Sequence, residues 1–178
     1  LSSGLLTLAD GWPAVIGLAG MAPDVTEIDA DMPETLYAFF AEQVYRGLDP
    51  ALAGALGILA AMPAIDRELA AVLLGQESAM QVCDDALALG ILDERDGRLE
   101  FHPLAAAFFT SQAPSRDDQD LEDVALRAFR VYIGRHEWDS AFEIVQGRRL
   151  ESRLPSLLRG AVDDLARGGR LHAIEDWL

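Results

Sequence analysis

The sequence contains no lysine. All 14 of its basic residues are arginines, set against 30 acidic residues, for a formal net charge of −16 over 178 residues. A Walker A loop needs a lysine on the β- and γ-phosphates, so this stretch of chain carries no such loop and is not expected to hydrolyse a nucleotide by itself. An acidic chain is also repelled by phosphate polyanions, which argues against general nucleic-acid binding unless a local basic patch survives. Cysteine is nearly absent: Cys83 stands alone, so no internal disulfide is possible. Its place in an apolar helical pattern suggests a small buried side chain in a reducing, cytoplasmic compartment. The three histidines, His102, His136 and His172, show no i, i+4 pairing and no cysteine partner, so no metal site is expected. No Gly-x-Ser-x-Gly elbow occurs either. Long hydrophobic runs are missing as well. The longest uncharged one, residues 50–65, is broken by Gly54, Gly57 and Pro63 and falls short of the roughly 20 apolar residues that span a bilayer, so no membrane partner is expected.

What is present is a globular composition. Half of the chain is hydrophobic (51%), and the mean hydropathy is positive. The start has neither a methionine nor a basic leader, and the end falls within an apolar helical pattern, so the sequence reads as an internal piece of a longer chain. Gly11-Trp12-Pro13 introduces a short buried helix. On chemistry alone Trp12-Pro13 reads as helix initiation with a buried indole. Residues 22–32, acidic and flanked by prolines, read as an exposed linker. From Pro33 a helical stripe runs through Leu36, Phe39, Phe40, Val44 and Leu48.

Asp49-Pro50 predicts a capped helix with Leu52, Ala55, Leu56 and Leu59 on its apolar face. Asp66 is the expected cap of a short helix, Arg67 to Leu74, closed by Gly75. A third helix from Gln76 to Leu89 is expected to bury Ala79, Val82, Cys83, Ala86 and Leu87. Gly90 stops it. Asp96-Gly97 is then a tight-turn signal between two short strands, the second of which runs through His102 into a helix begun by Pro103 and ending near Gln112. Three helices, a hairpin and a further helix are the sequence outline of a winged-helix domain.

In a DNA-reading winged helix the third helix enters the major groove and needs Arg, Lys, Asn or Gln on its outer face. Here that face offers Gln76, Glu77, Gln81, Asp84 and Asp85, and the hairpin's Arg95 and Arg98 sit among Glu94, Asp96 and Glu100. The field is therefore acidic where DNA would lie. Beyond a polar linker at residues 113–119, apolar stripes suggest helical hairpins. Leu121 to Tyr132 form one helix, and the turn Gly134-Arg135-His136-Glu137 leads to a second with Trp138, Ala141, Phe142 and Val145. A third stripe, Leu150, Leu154, Leu157, Leu158, Ala161, Val162 and Leu165, runs to Gly168-Gly169. Successive helical hairpins are how an α-solenoid begins. His102, on chemistry alone, reads as a strand-end side chain that packs or caps the following helix, with ligand binding as the alternative.

Several short motifs recur in a telling order. These are Gly11-Trp12-Pro13-Ala14, Asp49-Pro50, Leu73-Leu74-Gly75, Leu89-Gly90-Ile91-Leu92, Phe101-His102-Pro103-Leu104 and Phe108-Phe109. Together they resemble the middle of the MalT-like, large ATP-binding transcriptional regulators of the LuxR family, which are STAND-class NTPases. The stretch Gly134-Arg135-His136-Glu137-Trp138-Asp139-Ser140-Ala141 is similar to the turn that opens their superhelical repeats. The resemblance covers nearly the whole chain.

It implies a mainly α fold: the end of a helical nucleotide-binding subdomain at 1–22, a winged-helix domain with one β-hairpin at 33–112, and the start of a TPR-like superhelical sensor region at 118–178. It also implies ATP or ADP as ligand of the full-length protein, held with Pro13 on the adenine, Trp12 as its neighbour, and His102 on the β-phosphate of ADP. The partners implied are the parent's own P-loop domain and sensor repeats, with self-association in the active state. DNA would be met only through a C-terminal helix-turn-helix outside this chain. Relatives outside that family often place an acid after this histidine, where Pro103 stands here, whereas the resembling regulators carry His-Pro-Leu. From the residues alone, two other readings stay open: a free-standing winged-helix DNA-binding regulator, and a helical protein-interaction scaffold.

In a gel-shift at physiological salt, duplex DNA should run unretarded in the presence of this chain, and a discrete retarded band would overturn the electrostatic reading.

Overall fold

The computed structural model describes residues 45–111, 118–147, 150–169 and 177. Within them the chain is mainly helical with a two-stranded antiparallel hairpin. Trp12, Pro13, the short helix expected to begin at Pro13, and residues 33–44 of the helical stripe expected from Pro33 to Leu48 lie outside the described residues. The described part of that stretch holds a single 3-10 turn at Tyr45–Gly47.

Helix α1, Pro50–Ala60, starts where the sequence sets a cap before a proline: Asp49 Oδ1 accepts from Ala51 N at 2.8 Å. Its buried residues are Ala53, Leu56 and Leu59, while Leu52 and Ala55 are only half-buried. The expected face is thus rotated slightly, because Gly54 and Gly57 give this helix little polar contrast to fix its orientation. Asp66 caps α2, Arg67–Leu74, through a 2.7 Å bond from Leu69 N to Oδ1. Gly75, at φ +89°, ends α2 and serves as the N-cap of α3, Gln76–Ala88. Helix α3 buries Ala79, Val82, Cys83 and Ala86, as its periodicity predicts, and Leu87 is half-buried.

Strands β1, Leu92–Arg95, and β2, Arg98–Phe101, pair in the register Leu92 with Phe101 and Arg95 with Arg98. Asp96 and Gly97 both have positive φ, 51° and 78°, the geometry of a type I′ turn that matches the right-handed twist of the strands. A contact invisible in the periodicity lies on the other edge of β2, where Leu99 N donates to Ile65 O at 2.9 Å and makes an isolated antiparallel bridge. Ile65 is available for this because Asp66 must be extended (φ −145°, ψ 174°) to cap α2, which draws the preceding residue alongside the hairpin. Helix α4, Pro103–Ser111, follows β2 directly. Its Phe108 and Phe109 are buried and meet edge to face, with ring centroids 5.7 Å apart.

The remaining helices are α5, Asp118–Gly134, α6, Trp138–Gly147, and α7, Leu154–Arg167, the last preceded by a 3-10 turn at Glu151–Arg153. Helices α5 and α6 pack on each other across fully buried Ala128 and Ala141. Helix α7 comes so close to α6 that a Cβ on Gly160 would lie 3.2 Å from the Trp138 ring. Its buried stripe is Leu157, Ala161 and Leu165. Val162, expected in that stripe, is 41% exposed because it lies one residue, about 100°, beyond Ala161 around the helix.

One core runs without a break from Leu56 to Trp177. It crosses between the hairpin unit and the helical pair chiefly where α2 meets α5. Tyr132 of α5 is fully buried there, and its hydroxyl donates to Ala64 O at 2.5 Å and accepts from Ala64 N at 3.4 Å. Burial pushes this phenol up to about 12, with the backbone bond to Ala64 pulling the other way.

Replacing Tyr132 by Phe should lower stability by about 1–2 kcal/mol at neutral pH, since the Ala64 carbonyl loses its buried donor. A sign follows for alkaline solution. The unfolded tyrosine loses its proton near pH 10 while the folded one keeps it to about pH 12, so the wild type should lose stability as pH rises through that window. Denaturant titrations at pH 8 and pH 11 check this: the Phe variant should show a shallower decline, and parallel declines would contradict the buried phenol.

Candidate functional site

His102 joins β2 to α4. Its backbone N–H donates to Ile91 O at 3.0 Å, prolonging the hairpin ladder by one rung, and its carbonyl accepts from Ala106 N at 2.9 Å, opening α4. The residue is therefore fixed at the point where strand becomes helix. The side chain is half-buried and its Nε2 is enclosed within the protein. Beside it, Phe101 packs on Phe109 with ring centroids 6.1 Å apart. Of the three nucleotide-binding residues implied by the family resemblance, His102 is the one among the described residues; Trp12 and Pro13 lie outside them.

Whether this position suits a nucleotide phosphate can be tested against its surroundings. An imidazole N–H is an adequate single donor to a phosphate oxygen. A cradle of positive charge is another matter. Arg67 bridges Asp84 (2.9 Å) and Glu94 (3.1 Å), and those hydrogen bonds, Glu94 foremost, raise its pKa. Arg95 holds Asp93 at 2.8 Å, and Arg98 holds Glu137 at 3.0 Å. These arginines of the hairpin unit are engaged by carboxylates.

The outer face of α3 is as acidic as its sequence. Glu77, Gln81, Asp84 and Asp85 are exposed, and Met80 stands among them at 59% exposure. Cys83, on the opposite face, is buried, and burial pushes its thiol up, which makes it a poor nucleophile. Among the described residues no group of three or more His, Cys, Asp or Glu is placed to hold a metal ion. No described helix is long and apolar enough to cross a membrane.

The second feature is a junction that sequence reasoning missed. Arg135, in the turn after α5, sends Nη1 to Asp66 Oδ2 and Nη2 to Glu68 Oε2, both at 2.6 Å. Burial opposes its charge, but these bonds, that to Asp66 first, hold its pKa above the usual value. Arg127 of α5 donates to Val72 O and Leu73 O, both at 3.1 Å, and so satisfies carbonyls at the end of α2. Arg98 reaches from β2 to Glu137. Each of these arginines looks like an ordinary solvated charge in its own helix or strand, and only the tertiary arrangement brings their partners near.

Beside this junction lies a cleft of about 710 Å³. The segment Met62–Ile65, strand β2 from Arg98 to Phe101, and the turn His136–Ser140 line it. His136, at φ +60°, turns its ring toward Trp138 (centroids 5.0 Å apart), and its Nδ1 meets Asp164 of α7. Asp164 also accepts from Arg167 at 3.1 Å.

The junction yields a paired prediction. Arg135 and Asp66 are about one-fifth exposed (22% and 20%), whereas Arg67 and Asp84 are 42% and 60% exposed. Arg135→Ala should therefore cost about 1.5–3 kcal/mol, because it strips a partly desolvated, helix-capping carboxylate of its partner. Arg67→Ala should cost about 0.5 kcal/mol or less, as exposed pairs do. Chemical denaturation measures both, and equal losses would contradict the assignment of the junction to Arg135. Comparisons of the chain with protein-family models, with curated proteins and with solved structures give no match.

Proposed function

We propose that this chain is the regulatory middle segment of an ATP-dependent transcriptional activator of the MalT-like LuxR type. In this reading α1–α4 with the hairpin form a winged-helix unit that does not itself bind DNA. Helices α5–α7 begin a TPR-like sensor region. The winged helix acts as an internal latch: His102 contacts the β-phosphate of ADP held mainly by the parent's P-loop domain, with Pro13 against the adenine and Trp12 beside it.

The observation that carries this reading is the placement of His102. Its backbone is bonded to the hairpin on one side, through Ile91 O, and to the first turn of α4 on the other, through Ala106 N. A force on its side chain is therefore delivered to two elements at once, and both share a continuous core with α5. Supporting it, the acidic outer face of α3 is unsuited to a DNA groove, which leaves the winged helix free for an intramolecular role. A bound nucleotide would supply the phosphate charge that distinguishes the two states; the residues of this chain supply one donor and the lever behind it.

The test uses the full-length protein with bound ADP. His102→Ala should speed ADP release and raise promoter activation in the absence of ATP, while His102→Gln, which keeps a side-chain donor, should fall between. Unchanged ADP release and unchanged basal activation in a folded His102→Ala protein would remove the latch.

A further inference from the structure

The turn between α5 and α6 carries three polar residues in succession, and each reaches a different element. Arg135 holds Asp66 and Glu68 at the start of α2, both at 2.6 Å. Glu137 accepts from Arg98 of β2 at 3.0 Å, and between them His136 sets its Nδ1 against Asp164 of α7. Neighbouring side chains diverge in this way because the backbone between them is left-handed. Helix α5 ends in a Schellman turn: Glu137 N donates to Tyr132 O at 2.9 Å and His136 N to Ile133 O at 3.2 Å, which places His136 where φ must be positive, here +60°. Glycine commonly fills that position, because a Cβ there is disfavoured. The imidazole offsets this cost through its own contacts, with Trp138 (ring centroids 5.0 Å apart) and with Asp164, which Arg167 steadies at 3.1 Å. All three ties thus depend on one backbone conformation, and α7 helps to hold that conformation in place.

We propose that this turn is a conformational coupler between the hairpin unit and α7, with His136 as its two-position element. While α7 is seated, His136 is left-handed, and Arg135, His136 and Glu137 reach α2, α7 and β2 together. Once either side lets go, the strained residue relaxes toward the right-handed region and the three side chains no longer reach their partners at once. Release at β2 therefore loosens α7, and release of α7 loosens β2. Arg98 and Asp164 share no bonded partner, so any coupling between them has to pass through the turn. Nothing in this depends on nucleotide binding or on His102.

The experiment is a double-mutant cycle on the intact 178-residue chain, with unfolding constants taken from urea titrations at one fixed pH. Arg98→Gln cuts the tie to β2 and Asp164→Asn the tie to α7, and each should raise the unfolding constant by about fivefold. Independent sites would multiply, to about 25-fold within a factor of about two. Coupling through the turn predicts that the double variant stays close to the single effect, about fivefold, because the first release already frees what the second would cut. The cycle is then repeated with His136→Gly, which keeps the left-handed turn and removes the ring, and there the two effects should multiply. Multiplication in the parent chain would overturn the coupler, and so would a single variant without effect. A shortfall that persists in the His136→Gly chain would mark direct attraction between the two charges and overturn it as well.

Discussion

The structure hangs on one carboxylate. Asp66 caps α2 through Oδ1 and takes the guanidinium of Arg135 on Oδ2, so the residue that starts a helix in the hairpin unit also anchors the turn between α5 and α6. Its extended backbone places Ile65 against Leu99, and the residue before that, Ala64, against the hydroxyl of Tyr132. Three consecutive residues, Ala64, Ile65 and Asp66, thus tie three elements: the edge of β2, the start of α2 and the end of α5. A carboxylate held this way gains from the helix N-terminus and from the guanidinium together, and neither bond can be lost without weakening the other. Arg127, satisfying carbonyls at the opposite end of α2, keeps that short helix from pivoting about its cap.

This arrangement bears on how a signal would travel. A latch residue on a loose hairpin would dissipate any displacement in the hairpin itself. His102 instead stands where β2 passes directly into α4, and the aromatic cluster of Phe101, Phe108 and Phe109 fills the space behind it. Close-packed interiors transmit strain rather than absorb it, and the core here continues into α5 and α6 through Tyr132, Ala128 and Ala141. The proposed latch and the proposed sensor repeats would then share one mechanical body. The cleft lies along its seam.

Much of the fold was legible in the sequence because local chemistry dictates it. Asp49-Pro50 and Asp66 are caps by their side-chain oxygens, Gly75 and Gly97 are required by positive φ, and the stripe through Ala79, Val82, Cys83 and Ala86 is a simple helical period. The tight turn at Asp96-Gly97 between two short strands is likewise where the sequence puts it. What was not legible is long-range. The Arg135–Asp66 and Tyr132–Ala64 contacts join residues about seventy apart, and nothing in either neighbourhood marks Arg135 as more than a turn residue or Tyr132 as more than a helix residue. Val162 departs from its expected stripe because an apolar residue at the edge of a stripe is ambiguous by one helical step. Of the site implied by the family resemblance, the sequence placed His102 correctly at the strand end, but the partly enclosed position of its ring depends on packing that periodicity does not encode.

The central claim is that the hairpin unit and the helical pair behave as one body rather than two domains on a hinge. Native-state hydrogen exchange in rising denaturant measures this directly. The amides of Leu69 in α2 and Tyr132 in α5 should converge on a single opening free energy and a single denaturant dependence, the mark of one cooperative unit. If the α5–α7 amides open at lower free energy while α1–α3 and the hairpin stay protected, the two move independently and a relay through Asp66 and Arg135 is contradicted.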